Sequence, residues 1–262
     1  MKILSALILF AVIVMPSVHA QIQAYDVEYS AGGDIPLRGY LVYDKDLTEP
    51  TPGILVVHEW WGQNDYARKR AWMLAELGYT ALAIDMYGEG KVATHPKDAG
   101  AFAGEAKANM DVAQARFKAA LDVLKNYKGT DPDKIAAIGY CFGGGIVLEM
   151  ARRGMDIAGV VSFHGSLATE NPAVPGAVKA KVLVLHGADD KFIPPAQVEA
   201  FKKEMEDAGV DYRFISYEGA THSFTNPAAD ELAREFELDV AYNPQADHES
   251  WQALQDFFES LF

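Results

Sequence analysis

Cys141 is the only cysteine in the 262-residue chain, and it stands at the centre of Gly139-Tyr140-Cys141-Phe142-Gly143-Gly144. The run before it, Lys134–Gly139, reads as a short buried strand, and Gly144–Arg153 reads as a helix. A residue between a strand and a helix, with glycine two positions away on each side, fits a nucleophile elbow. There the side chain projects from a tight, strained turn, and a Cβ at the flanking positions would strike neighbouring backbone. Serine usually fills that place, but no Gly-x-Ser-x-Gly occurs here, so the nucleophile the pattern predicts is sulfur.

A free thiol is mostly protonated at neutral pH and needs a base, itself oriented by an acid. Asp190 lies in Gly187-Ala188-Asp189-Asp190, after the strand-like run Lys181–His186. His222 lies in Gly219-Ala220-Thr221-His222, after Tyr212–Tyr217. Taken singly, a loop aspartate is ordinarily a turn residue and a lone histidine ordinarily structural. Three such groups, each following a strand and running Cys, Asp, His along the chain, match the order of an α/β-hydrolase triad.

The elements that must carry them alternate. Strand-like runs occur at Ala24–Ser30, Leu37–Tyr43, Gly53–His58, Thr80–Asp85, Lys134–Gly139, Ile157–Phe163, Lys181–His186 and Tyr212–Tyr217, and helical patterns at Asp65–Leu77, Ala106–Asn126, Gly144–Arg153, Pro195–Ala208 and Glu249–Phe258. The continuously apolar runs Ile54–Val57 and Val182–Leu185 suit parallel strands buried on both faces. The expected fold is a single α/β-hydrolase domain over residues 21–262: a doubly wound, mostly parallel sheet with helices on both faces and an antiparallel hairpin leading in. Gly88–Gly104 and the acidic stretch Thr225–Asn243 read as irregular. Both follow strand ends, where open α/β sheets place ligands.

Strand ends also carry His58-Glu59-Trp60-Trp61-Gly62 and Asp85-Met86-Tyr87-Gly88. With Gly-Tyr-Cys-Phe-Gly-Gly and Gly-Ala-Thr-His-Ser-Phe, these make the chain resemble the dienelactone hydrolase family across essentially all of residues 21–262. The resemblance implies a Cys141–His222–Asp190 triad. It also implies that Glu59 contacts the thiol at rest and is displaced when substrate binds. The backbone N–H groups of Phe142 and Trp60 would form the oxyanion hole, Phe142 at a helix N-terminus that favours negative charge. Family members that take the dienelactone bind its carboxylate through two arginines. This chain has Glu89 and Asn226 at those places. Without either cation, and with Glu89 in place of one, a carboxylate substrate is disfavoured. The expected substrate is an uncharged ester, lactone or thioester held against Trp61 and Tyr87, with Trp60 beside them, although aromatics near strand ends are as often core packing.

The formal charge of −14 offers no basic field for nucleic acid or anionic membranes. Residues 1–20 read as a cleaved signal peptide: Lys2, the apolar stretch Ile3–Met15, and Val18-His19-Ala20. The mature protein is therefore expected in the periplasm or secreted, without a membrane anchor, as a monomer or weak homodimer. A single cysteine leaves no internal disulfide. No metal is expected, because His58-Glu59 lacks a second histidine at Gly62 and His95, His164, His186 and His248 show no ligand spacing. His164 reads as a hydrogen-bonded structural residue. No cofactor is implied either, since Gly88-Glu89-Gly90 lacks the third glycine of a dinucleotide loop and no Walker sequence is present. Two alternatives remain at this level: acyl transfer at the same site, or a noncatalytic binding protein that kept the fold.

Overall fold

The computed structural model describes residues 20–262; the expected signal peptide lies outside the described residues. Eight strands form one sheet in the order β1-β2-β4-β3-β5-β6-β7-β8. They are β1 (Ile22–Ser30), β2 (Pro36–Asp44), β3 (Thr51–Val57), β4 (Thr80–Ile84), β5 (Thr130–Tyr140), β6 (Gly159–Phe163), β7 (Lys181–Gly187) and β8 (Tyr212–Tyr217). β1 pairs antiparallel with β2 and β2 with β4, and every pairing from β4 onward is parallel.

Helices cover both faces. Side chains alternate along β3, so Leu55 and Val57 enter one apolar core while Ile54 and Val56 enter the other. The first core is closed by α3 (Met110–Asn126), α4 (Phe142–Arg152) and α5 (Pro195–Asp207), through Phe117, Ile146 and Phe201. The second is closed by α1 (Asp65–Glu76) and α7 (Pro244–Glu259), through Leu74, Leu254 and Phe258.

Three elements differ from the expectation. The helix foreseen over Ala106–Asn126 is two helices, α2 (Pro96–Ala108) and α3, parted at Asn109 with φ −120° and ψ 58°. α2 therefore occupies part of Gly88–Gly104. It starts at a proline, which suits a first turn, and His95 caps it by accepting the Lys97 N–H. The stretch Thr225–Asn243 holds α6 (Ala229–Phe236). α7 begins at Pro244, earlier than Glu249, where Asn243 accepts the Ala246 N–H. α2 and α6 meet in a small third core, in which Trp60, Phe102, Leu232, Phe236 and Leu238 pack on Trp61 and Ala99.

Candidate active site

The elbow is built by backbone proximity. β5 ends at Tyr140, α4 begins at Phe142, and Cys141 between them has φ 53° and ψ −113°. A Cβ on Gly139 would come within 2.1 Å of Gly143 O, and one on Gly143 within 2.3 Å of Val57 O, so neither position admits a side chain. The Gly143 N–H donates to His58 O at 3.1 Å, which ties the elbow to the end of β3.

Asp190 and His222 come from the loops after β7 and β8. His222 Nδ1 bonds Asp190 Oδ2 at 2.8 Å, with the carboxylate fully enclosed. Asp190 Oδ1 accepts the Phe192 N–H at 2.9 Å, so both oxygens are fixed. Burial opposes a charged imidazole, but the Cys141 sulfur and the Asp190 carboxylate, both hydrogen-bonding partners, push the His222 pKa up to about 10. Such an imidazole holds its proton at neutral pH.

Among the described residues, the N–H groups of Trp60 and Phe142 have no acceptor within the protein. Two free backbone donors beside a nucleophile can receive a developing oxyanion. The peptide that carries the Trp60 N–H is held through Glu59 O, which accepts the Gly62 N–H at 3.2 Å, and the next peptide is held by Tyr87 Oη, which donates to Trp60 O at 3.0 Å. The Tyr87 loop is held in turn by Asp85. Its Oδ1 accepts the N–H groups of Tyr87 and Gly88, and its Oδ2 those of Arg38 and Gly90, at 2.8–3.1 Å.

A cavity of about 300 Å³ opens above the sulfur, walled by Trp60, Trp61, Phe142, Phe192, Leu232 and Val240. Two expectations change here. Tyr87 is not part of this wall; it packs behind it against His58, Phe102 and Phe142, because its hydroxyl is drawn to the Trp60 carbonyl. Glu89 does not face the cavity either: it is exposed and pairs with Lys91 at 3.0 Å. The charged side chain that does reach the wall, apart from the triad, is Lys107 of α2, a residue without any motif to announce it.

Glu59 is 2% exposed. Both its oxygens are occupied from the His222 loop: Ser223 Oγ donates to Oε1 at 3.2 Å, and Asn226 Nδ2 donates to Oε2 at 2.7 Å. Burial raises its pKa, against the pull of Asn226, His222, Ser223 and Arg70. No hydrogen bond joins Glu59 to Cys141 among the described residues.

His164 is fully buried. Its Nδ1 faces the Cys141 N–H at 3.1 Å, a donor, so Nδ1 accepts and Nε2 carries the proton to Thr225 Oγ1 at 2.7 Å. Thr225 Oγ1 meets Tyr66 Oη at 2.6 Å, and Tyr66 Oη accepts from Arg70 Nε at 3.2 Å. Arg70 Nη2 also donates to Thr225 O at 2.6 Å and pairs with Asp247 of α7. Burial, with the positive neighbours His222 and Arg70, holds the His164 pKa well below its ordinary value. The sequence marked His164 as structural, but nothing local pointed to its partners.

The eight-stranded, mostly parallel sheet with helices on both faces is an α/β-hydrolase fold. Residues 37–262 match the model of the dienelactone hydrolase family, and the chain belongs to that family, whose chemistry makes it a hydrolase of ester and lactone bonds. It is 30% identical over 243 residues to protein usf of Aquifex pyrophilus, covering 89% of this chain and 96% of that protein. Among solved structures it is similar to a dienelactone hydrolase-like promiscuous phosphotriesterase from metagenomic libraries, with TM-score 0.85 and 34% identity over 92% of this chain and 99% of that one. A second structure, titled m3DLH, gives TM-score 0.86 and 36% identity over the same shares.

Proposed function

We propose that the chain hydrolyses uncharged esters, lactones or thioesters through a thioacyl-enzyme on Cys141. The observation that carries this reading is a thiol hydrogen-bonded to an Asp190-held imidazole, on a cavity also lined by Trp60 and Phe142, whose N–H groups are unbonded. The thiolate attacks the carbonyl carbon, and the oxyanion settles between the Trp60 and Phe142 amides. The His222 imidazolium gives its proton to the departing alkoxide or thiolate, leaving the acyl group on sulfur. His222 then takes a proton from water, whose hydroxide displaces the thiolate, and acid product and resting enzyme are regenerated.

The largely apolar walls, with Lys107 as the one cation among the lining residues, and the neutral Asn226 at a position where dienelactone-binding members carry an arginine, support an uncharged acyl group. The metagenomic relative's title adds a neutral phosphotriester to the compounds worth testing. Export belongs to the same proposal: residues 1–20 are removed, and the enzyme works in the periplasm or outside the cell. N-terminal sequencing of the processed protein, expected to begin near Gln21, checks that part.

The mechanism is tested with Cys141→Ala. Turnover of a p-nitrophenyl ester should fall by at least about a thousandfold with an unchanged melting temperature. Wild-type enzyme quenched during turnover should carry one acyl group on the Cys141 peptide. Full activity in the variant would overturn the mechanism. Product analysis with added alcohol separates hydrolysis from acyl transfer.

A further inference from the structure

The cavity above the sulfur has a neighbour, and the two share a wall. Beyond Trp61 and Leu232 lies a groove of about 560 Å³, lined also by Val92, Ala93, Thr94 and Ala228. We propose, on the reading of Cys141 as nucleophile, that this groove is a distal subsite for the acyl chain of the substrate. Trp61 and Leu232 are the partition that a medium-length acyl group with an uncharged far end crosses on its way out from Cys141.

The tetrahedral intermediate assigns the groove to the acyl side. Its oxygen turns to the Trp60 and Phe142 amides, and the departing group turns to His222, which protonates it. Beside His222 the cavity wall consists of Phe192, whose ring lies 5.1 Å from the imidazole, and Val240, paired with His222 by a backbone bridge. Neither of them lines the groove. The acyl chain takes the direction that is left, toward Trp61 and Leu232. Size points the same way. The catalytic cavity, at about 300 Å³, is at the small end of the roughly 300–1,000 Å³ usual for ligand pockets, and the groove more than doubles the space.

The partition has one fixed half and one movable half. Trp61 is 6% exposed and packs between Trp60 and Phe236, with ring centroids 5.1 and 6.2 Å away. Leu232 is only half-buried, on the eight-residue α6, whose cap residue Ala228 offers no side-chain acceptor to the first turn. A change of rotamer at Leu232, with the backbone in place, is the opening the chain needs. Trp61, Val92 and Ala93 beyond it suit methylenes. Of the charged side chains on the groove, Arg68 is engaged by Asp26 at 2.9 Å and donates to Gln63, whereas Asp65 has no ion pair among the described residues. A chain ending in a carboxylate would meet Asp65 uncompensated, and one ending in an alkyl or hydroxyl group would not.

The measurement is kcat/KM of the mature protein for p-nitrophenyl acetate, whose acyl group ends beside Cys141, and for p-nitrophenyl octanoate, whose chain extends past Leu232. Wild type should turn over the octanoate at least as well as the acetate. Ala228→Trp and Thr94→Trp, at exposed positions on different loops, each fill the groove. Each should lower the octanoate value at least about tenfold, because several methylenes lose their burial, and leave the acetate value within about twofold. Ethyl and octyl acetate carry the length on the alcohol side, and their ratio should not change in either variant. The p-nitrophenyl monoester of suberic acid, an octanoate with a carboxylate end, should fall about threefold or more below the octanoate and recover in Asp65→Asn. Two variants keep the test decisive should one fail to fold. Equal losses for acetate and octanoate, an octanoate value that neither tryptophan lowers, or a loss confined to octyl acetate overturns the proposal. Failure of the hydrolase reading looks different, because Cys141→Ala would then retain turnover of both esters whatever fills the groove.

Discussion

Cys141 occupies a strained backbone conformation, φ 53° and ψ −113°, of a kind that costs about 1–3 kcal/mol, and the surrounding groups hold it there. Its N–H is shared between Phe163 O at 3.0 Å and His164 Nδ1 at 3.1 Å, and the next two residues are fixed by β3 and by the start of α4. The same economy governs the second oxyanion donor. The Trp60 N–H has no acceptor, while the carbonyls on either side of it are held, Glu59 O by the Gly62 N–H and Trp60 O by the Tyr87 hydroxyl, whose own amide is bound by Asp85. Tyr87→Phe removes that one bond and leaves the packing against Phe102 and Phe142 in place. It should lower kcat roughly tenfold and leave KM for a neutral ester nearly unchanged, since a donor that matters chiefly in the transition state is lost. A raised KM with unaltered kcat would return Tyr87 to the role of substrate wall that the sequence suggested.

Between elements, the histidine loop is the point where the most distant parts of the chain meet. Arg70 of α1 is 3% exposed, pairs with Asp247 of α7, and donates to the carbonyl of Thr225, three residues beyond His222. Arg70→Met keeps most of the side-chain volume but leaves a partly buried carboxylate and a buried carbonyl without their donor. Removing one partner of a buried pair costs roughly 3–5 kcal/mol, so urea denaturation should show a loss near the lower figure. The loop should also loosen, with kcat falling at a temperature where the variant remains folded. Most of this network was not legible in the sequence: Tyr66 and Arg70 stand four apart on α1, but residues 164, 225 and 247 share no spacing with them and only the fold brings them together. That Cys141, Asp190 and His222 each follow a strand was legible, because strands such as Ile54–Val57 and Val182–Leu185 declare themselves by unbroken apolar runs. α6 was not, since eight residues give barely two turns of periodicity and its burial depends on Trp61, supplied from another loop. The break at Asn109 was equally hidden, lying among residues that favour helix on both sides.

For the whole molecule, the buried histidines set a pH window. His58 is enclosed at the end of β3, with Nδ1 on Glu59 O and Nε2 accepting the Met86 N–H, and burial lowers its pKa from 6.5 to about 4. His164 is lowered in the same direction. Between pH 6.5 and 4 the unfolded chain takes up protons at these positions that the folded protein refuses, so stability falls as pH falls through that interval and is intact above it. For His58 alone the lowering corresponds to roughly 3 kcal/mol. Glu59, whose pKa is raised, works against this on the acid side. His222 acts at the other end, because a group raised to about 10 contributes fully below 6.5 and loses its contribution as pH climbs through 10. Thermal melts of the mature protein should therefore peak around neutrality and decline toward both extremes. His58→Gln, which keeps an acceptor for Met86 but does not titrate, should melt lower at pH 7 and lose less on going to pH 4.5. Wild-type and variant curves that run parallel from pH 7 to 4.5 would mean that His58 is not the group that takes up the proton. The acid arm would then belong to carboxylates, and raising the salt concentration, which screens surface pairs but not a buried imidazole, would shift it.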